Sequence, residues 1–377
     1  MKLLDPSWEN ITEIVIYGFG KQGKGLINYL SKQFTVSAII DNGIHNIDSY
    51  NNVPIMIYEK YRELDINKKI IISASGKANL SIKKSLEEDG KTEYIDFINA
   101  VEFITVWNWQ FRNKVYLGRL TTSITEKCSL RCKYCMTYMP YFKAPVNYSL
   151  EEICEEFDLF FKLVDSVASL YIVGGEPFLH PDLGEIIRYI SENFSKKIEG
   201  GIVLITNGTI IPNGETIKTF NEYKVKIRIS DYSGTVPYEE KLVKLIKLFD
   251  QYGVDYDREV FNEWIDMGRP DENIKIGNSP EEIRTHMKKC NIACAFLCKM
   301  RYYYCNREWA AETAFNYTDI EGDYLDLKQL AADILKGKEK VLDFYLGNLE
   351  QGYCRFCQRC RGFESDLVVK AAEQLRA

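Results

Sequence analysis

A chain of 377 residues exceeds one ordinary domain, so two or three are expected. Its 46% hydrophobic and 27% charged residues describe a globular protein and argue against long disorder. A net charge of −6 without a basic block makes nucleic acid an improbable partner. No apolar run is long enough for a transmembrane helix, and Met1 to Pro6 lacks a signal-peptide core, so no membrane partner and a cytoplasmic location are expected.

Residues 1–104 read as a small α/β unit. The apolar run Ile14–Tyr17 is followed at once by Gly18, Gly20 and Gly23 at G-x-G-x-x-G spacing. A helical stretch from Gln22 to Leu30 leads to a strand, Val36 to Ile40, that ends in Asp41. Ile70 to Ile72 precedes Ser73-Ala74-Ser75-Gly76, and Tyr94 to Phe97 supplies a further strand. Strands alternating with helices imply a parallel sheet. Val101 to Leu117 is aromatic and irregular, and is expected to be a join. Alternation resumes over 115–284, with strands at Arg119–Ile124, Leu170–Val173, Ile202–Ile205 and Val225–Ile229. Ser149 with Glu152 predicts a capping box opening a helix to about Val164. Residues 285–377 read as irregular and cysteine-rich.

Eleven cysteines in a reducing compartment call for an explanation other than disulfides. Cys128, Cys132 and Cys135 share one short loop, just after a strand. Three thiolates there can ligate three irons of a [4Fe–4S] cube and leave the fourth without a protein ligand. A structural zinc site would want a fourth ligand close by, and the loop offers none. Cys290, Cys294, Cys298 and Cys305 form a second group; Cys354, Cys357 and Cys360 form a third. Cys154 stands alone in a helical stretch, as a small buried apolar residue.

The three-cysteine spacing, with Gly174-Gly175-Glu176-Pro177 at the end of the next strand, resembles the radical S-adenosylmethionine (SAM) enzymes. The resemblance covers roughly residues 115–365. It implies a partial (β/α)6 barrel, and a 5′-deoxyadenosyl radical made by reductive cleavage of SAM, with a flavodoxin- or ferredoxin-type reductant. It also implies that Tyr134, Gly174, Gly175, Glu176, Pro177, Thr206, Asn207 and Ser230 contact the cofactor, Glu176 at its amino group. The C-terminal cysteines resemble the "twitch" form of the SPASM extension, which carries an auxiliary [4Fe–4S] cluster. Cys290, Cys305, Cys354 and Cys357 are then its ligands, with Cys294, Cys298 and Cys360 as further candidates; zinc remains the alternative for Cys-x-x-Cys pairs.

The N-terminal glycine turn with Asp41 has the context of a dinucleotide fingerprint. It resembles the Rossmann-like domain that precedes sugar-modifying catalytic domains, which implies a nucleotide or nucleotide-sugar ligand at Gly18, Gly20, Gly23 and Asp41, or a scaffold. The leading expectation is therefore a radical SAM oxidoreductase that oxidises or epimerises a carbohydrate or nucleotide-sugar. For epimerisation, Cys294 or Cys298, if not a ligand, would donate the hydrogen atom. A radical SAM peptide maturase is the second reading, and a non-catalytic iron–sulfur carrier or redox sensor the third. His45 and His286 are expected at the surface, and His180 beside the cofactor or at a helix entry. Asp231, Trp264 and Asp266 lie where substrate contacts could be made.

Overall fold

The structure is a computed structural model that describes the chain apart from residues 44–46, 65–67, 75, 291–294, 364 and 376–377, and apart from the side chains of 21 and 22. It divides into two compact units, Met1–Lys114 and Val115–Ala377.

In the first unit, β1 (Glu13–Tyr17), α1 (Lys21–Leu30), β2 (Thr35–Ile40), β3 (Ser49–Tyr50), β4 (Val53–Met56), α2 (Tyr58–Glu63), β5 (Lys69–Ile72), α3 (Gly76–Glu88), β6 (Phe97–Asn99) and α4 (Ala100–Arg112) follow in order. The sheet runs β3-β4-β2-β1-β5-β6, parallel except for the antiparallel β3–β4 pair. Central strands covered on both faces read as continuous apolar runs. Ile14, Val15 and Ile16 of β1 and Ile70 to Ile72 of β5 are accordingly buried.

The stretch expected to be an irregular join is α4. Asn99 caps it by accepting from the Val101 N–H at 2.9 Å, and Asn113 ends it in the left-handed region, with φ 53°. Its aromatic and β-branched residues have weak helix propensity, but Phe103, Val106 and Trp107 are buried, and tertiary packing outweighs propensity.

The second unit holds β7 (Tyr116–Leu117), β8 (Leu120–Ser123), α5 (Leu150–Leu163), β9 (Ser166–Val167), β10 (Leu170–Val173), α6 (Leu183–Phe194), β11 (Ile202–Thr206), α7 (Gly214–Glu222), β12 (Lys226–Asp231), α8 (Glu239–Tyr252), β13 (Tyr256–Val260), β14 (Glu263–Ile265) and α9 (Pro280–Lys289). It continues through β15 (Phe296–Cys298), β16 (Arg301–Tyr303), α10 (Asn306–Phe315), β17 (Tyr324–Asp326), α11 (Leu327–Leu330), α12 (Ile334–Tyr345) and β18 (Val368–Lys370). The Ser149–Glu152 capping box opens α5. The main sheet runs β13-β12-β11-β10-β8-β15-β16-β17, an open order rather than a closed barrel.

Five strands, β8, β10, β11, β12 and β13, are parallel and joined through α5 to α8. The sixth parallel strand is not a further repeat. It is β15, from the cysteine-rich part, lying beside β8 with Phe296 opposite Thr121 and Leu297 opposite Thr122. That part is also more regular than expected, with α10 and α12 folded around the β15–β16–β17 meander. Its strands and helices are short and broken by aromatic and cysteine residues, which hides their period from local reading.

Candidate active site

The three-cysteine loop leaves the C-terminal end of β8, the edge where parallel sheets place ligands. Leu130, Cys132 and Ala372 form a small core there, with Cys128, Cys135, Tyr232, Val236 and Trp264 packed around it. Burial pushes the Cys132 thiol up to about 12 and Cys128 well above its ordinary range, and the neighbouring thiols add to both shifts. Sulfurs crowded in this way ionise together only beside compensating positive charge, which iron supplies. The donor set fits a [4Fe–4S] cluster with one iron left free of protein.

The Gly174–Pro177 turn follows β10 and docks onto that loop. The Gly175 N–H donates to the Thr125 carbonyl, and the Glu176 N–H to that of Lys127, both at 2.8 Å. A Cβ on Gly175 would lie 2.3 Å from the Lys127 carbonyl oxygen and 2.9 Å from the Cys128 Cβ. Only glycine permits that approach. Pro177 opens a buried turn, Pro177–Leu179.

Glu176 is fully buried and does not stand open to an amino group. Its Oε1 accepts from the Phe178 N–H at 3.1 Å and the Thr206 hydroxyl at 2.7 Å, and its Oε2 from the Asn207 N–H at 2.8 Å. Burial raises its pKa to about 7, against the pull of these donors. The carboxylate therefore braces the ends of β10 and β11. Asn207 in turn reaches the cluster loop, its Nδ2 donating to the Ser129 hydroxyl at 3.1 Å and lying 3.8 Å from the Cys128 sulfur.

Tyr134 lines a cavity of about 240 Å³ with Cys135, Tyr138, Asp266, Arg269 and Arg307. Ser230, in β12, bonds the side chain of Tyr232, whose ring faces Cys132 and Cys135. Asp231 is consumed within the protein. It pairs with Arg258 at 2.7 Å and accepts from the Ser233 N–H at 2.8 Å. Burial raises its pKa, but Ser233 and Arg258 outweigh that and hold it below the usual range. Asp266 pairs with Arg361 at 3.1 Å. His180 takes the helix-entry role: its Nδ1 accepts from the Asp182 N–H at 3.1 Å, so its Nε2–H donates to the Tyr148 carbonyl at 2.8 Å.

A second sulfur site lies in the same unit. Cys290, Cys305, Cys357 and Cys360 line one cavity with His286 and Arg307. His286 is thus not a plain surface residue; its Nε2 bonds the Cys360 carbonyl at 2.9 Å. Four thiols around one cavity fit a [4Fe–4S] cluster ligated at every iron.

Cys354 does not line that cavity, although its thiol bonds that of Cys357. It is fully buried with Glu308 and Asp323, the three ligand atoms within 4.8 Å of one another. Asp323 holds the cysteine-bearing loop by accepting from the Phe356 N–H at 3.0 Å and from Gln351 at 2.6 Å. Cys298 does not line the cavity. Its sulfur is buried 4.0 Å from the Ser123 carbonyl, among Tyr148, Glu156 and Glu126. Cys294 falls outside the described residues, as does His45, and Cys154 is only half-buried.

In the first unit, Asp41 also serves the fold. Its Oδ2 accepts from the Phe19 N–H at 2.6 Å and its Oδ1 from the Gly43 N–H at 2.8 Å. A Cβ on Gly23 would lie 2.2 Å from the Gly18 carbonyl, so that glycine is needed for packing. A Cβ on Gly20 would meet nothing within 4 Å.

Sequence reading missed Gln374. Its amide nitrogen lies 3.3 Å from the Cys132 sulfur and its oxygen accepts from the Arg131 N–H at 2.7 Å. The contact joins residues 242 positions apart, and nothing local announces it.

Residues 122–255 match the Radical SAM superfamily, so this stretch is a radical SAM domain. That match fits a [4Fe–4S] cluster with SAM at the three-thiol loop. AlbA, an antilisterial bacteriocin subtilosin biosynthesis protein of Bacillus subtilis (strain 168), is 24% identical over 265 residues, 60% of this chain and 56% of AlbA. A GTP 3′,8-cyclase of Aquifex aeolicus (strain VF5) is 38% identical over 130 residues, 33% of this chain and 38% of the cyclase. The chain thus spans little more than half of AlbA and under two-fifths of that cyclase. The crystal structure of Streptococcus suis SuiB bound to the precursor peptide SuiA aligns with a TM-score of 0.33 at 15% identity, over 86% of this chain and 59% of SuiB. Among the described residues no helix is long and apolar enough to cross a membrane.

Proposed function

We propose that this chain is a radical SAM peptide-modifying enzyme that oxidises its substrate after hydrogen-atom abstraction. The observation that carries the reading is the extent of the match to AlbA. It runs over 265 residues, far beyond residues 122–255, whereas the cyclase match of 130 residues is no longer than that stretch. AlbA, which shares more than the common domain, is a bacteriocin biosynthesis protein.

Cys128, Cys132 and Cys135 would hold the SAM-cleaving cluster, and Cys290, Cys305, Cys357 and Cys360 the auxiliary one. Once bound, the first supplies a 5′-deoxyadenosyl radical and the second an electron acceptor. The protein's own part is positional. Gly175 lets the turn close on the cluster loop, Glu176 and Asn207 fix two strand ends beside it, and Gln374 holds Cys132. The cavity beside Cys135 presents both charges, Asp266 and Glu272 against Lys133, Arg269 and Arg307, which suits a polar peptide backbone. On this reading residues 115–284 carry the radical chemistry and 285–377 the auxiliary cluster.

The test is anaerobic incubation of the iron-loaded protein with SAM, a strong reductant and a library of peptides or diphosphate-sugars. Turnover-dependent loss of two hydrogens from a peptide, matched by 5′-deoxyadenosine, is expected. The same change in a sugar alone would refute the peptide reading.

One observation favours the carbohydrate reading second. The first unit has the strand order β4-β2-β1-β5-β6 with a glycine turn after β1, the arrangement of a Rossmann-like nucleotide-binding domain. Residues 1–104 would then present a nucleotide-sugar over the open space at Gly20. An epimerase version needs a thiol hydrogen donor, and the buried position of Cys298 in β15 disfavours that residue.

A further inference from the structure

Arg307, in the first turn of α10, is only 2% exposed. Its Nη1 donates to the Met136 carbonyl at 3.0 Å, and its Nη2 to the Gly268 carbonyl at 2.6 Å and to the Tyr138 hydroxyl. These acceptors are neutral oxygens, its Nε has no partner, and among the described residues no carboxylate pairs with it. A buried charge left in that state is strongly unfavourable unless another negative group faces it.

The groups that do face it are the thiols of Cys360 and Cys305. Arg307 lines both cavities, the one with four cysteines and the one beside Cys135. Helix α10 adds to the same field. Its N-cap is Cys305, which lines the four-cysteine cavity, so the positive end of a ten-residue helix meets it.

We propose that Arg307 is the fixed positive charge that sets the electron affinity of the cluster held by Cys290, Cys305, Cys357 and Cys360. Through Met136, Tyr138 and Gly268 it also ties that centre to the chain just after Cys135. The proposal rests on the auxiliary-cluster assignment. One-electron reduction from the 2+ to the 1+ cubane adds a negative charge, and a cation beside it in a poorly screened interior favours the reduced form. Arg307 acts on that centre through its charge and not as an iron ligand.

The experiment uses the full chain with Cys128, Cys132 and Cys135 all changed to Ala, reconstituted anaerobically, so that only the auxiliary cluster is titrated. Its midpoint potential is read by electron paramagnetic resonance against a graded chemical reductant. Arg307→Met should shift the potential to more negative values with iron content unchanged, and Arg307→Lys should stay close to the parent. Equal potentials in Met and parent proteins of equal iron content would overturn the proposal. Should Met lose the cluster, Arg307→Gln and Arg307→Lys carry the comparison. Iron lost from all three variants would also overturn it, since the side chain would then serve assembly. A parent protein that binds zinc or no metal would instead overturn the cluster assignment, and the proposal with it.

Discussion

Glu176→Gln separates a brace from a ligand. The carboxylate takes three donors on two oxygens, so an amide NH2, whichever way it is turned, faces a backbone N–H of either Asn207 or Phe178. One hydrogen bond is lost and a buried donor is left unsatisfied, which destabilises by about 1–3 kcal/mol. Against this, the native side chain carries its own penalty. Its folded pKa is raised from 4.5 to about 7 by burial, so the folded state holds the proton over that interval. Stability therefore falls as pH rises from about 4.5 through about 7, by roughly 3 kcal/mol from this group alone. Glutamine has no charge to desolvate. Urea unfolding of the iron-free protein should show the variant clearly weaker at pH 5.5 and close to the native chain at pH 8.5. A deficit of equal size at both values would refute the reasoning. So would unchanged stability with a collapse of SAM affinity, because Glu176 would then be a direct ligand of the cofactor.

Gly175→Ala sets a methyl against the Lys127 carbonyl at 2.3 Å, so the cluster loop must shift. Overpacking of this kind costs about 1–3 kcal/mol, and the protein should incorporate less iron, measured by colorimetric assay, with Gly25→Ala, exposed on α1 with nothing within 4 Å of a Cβ, as a surface control. Cys360→Ala should remove one cubane of iron whereas Cys354→Ala should not; the reverse pattern would return Cys354 to the ligand set. Gly20→Val has open space for its side chain and should leave unfolding of the protein nearly unchanged while blocking any diphosphate at the α1 N-terminus. Calorimetric titration with diphosphate-sugars checks it, and equal binding by both proteins would remove that site.

The radical SAM motif was legible because it is local. Cys128 to Cys135 lie on one loop, and Gly174 to Pro177 on one turn, at spacings that survive without a fold. Thr206 and Asn207 were legible as strand ends, yet their tie to Glu176 was not, since hydrogen-bond partners 30 and 31 residues apart follow from sheet register. Register also hid β15, a three-residue strand in which Phe296 and Leu297 pair with a strand 175 positions earlier. Cys360 was read as a further candidate beside Cys354 and Cys357 because a Cys-x-x-Cys-x-x-Cys run contains two equivalent pairs. Only the turn Arg355–Arg359 and the anchoring of Asp323 decide which thiols share a cavity. Arg307 and Gln374 carry no motif at all, and their roles come from packing.

The most direct test of the radical reading is the yield of 5′-deoxyadenosine. Wild-type and Cys132→Ala proteins, both iron-loaded under anaerobic conditions, are incubated with SAM and a strong reductant, and the nucleoside is quantified by mass spectrometry. The wild type should release it. The variant, still folded and still holding its auxiliary cluster, should release none. Equal yields from the two proteins would contradict the assignment of the three-thiol loop as the site of SAM cleavage.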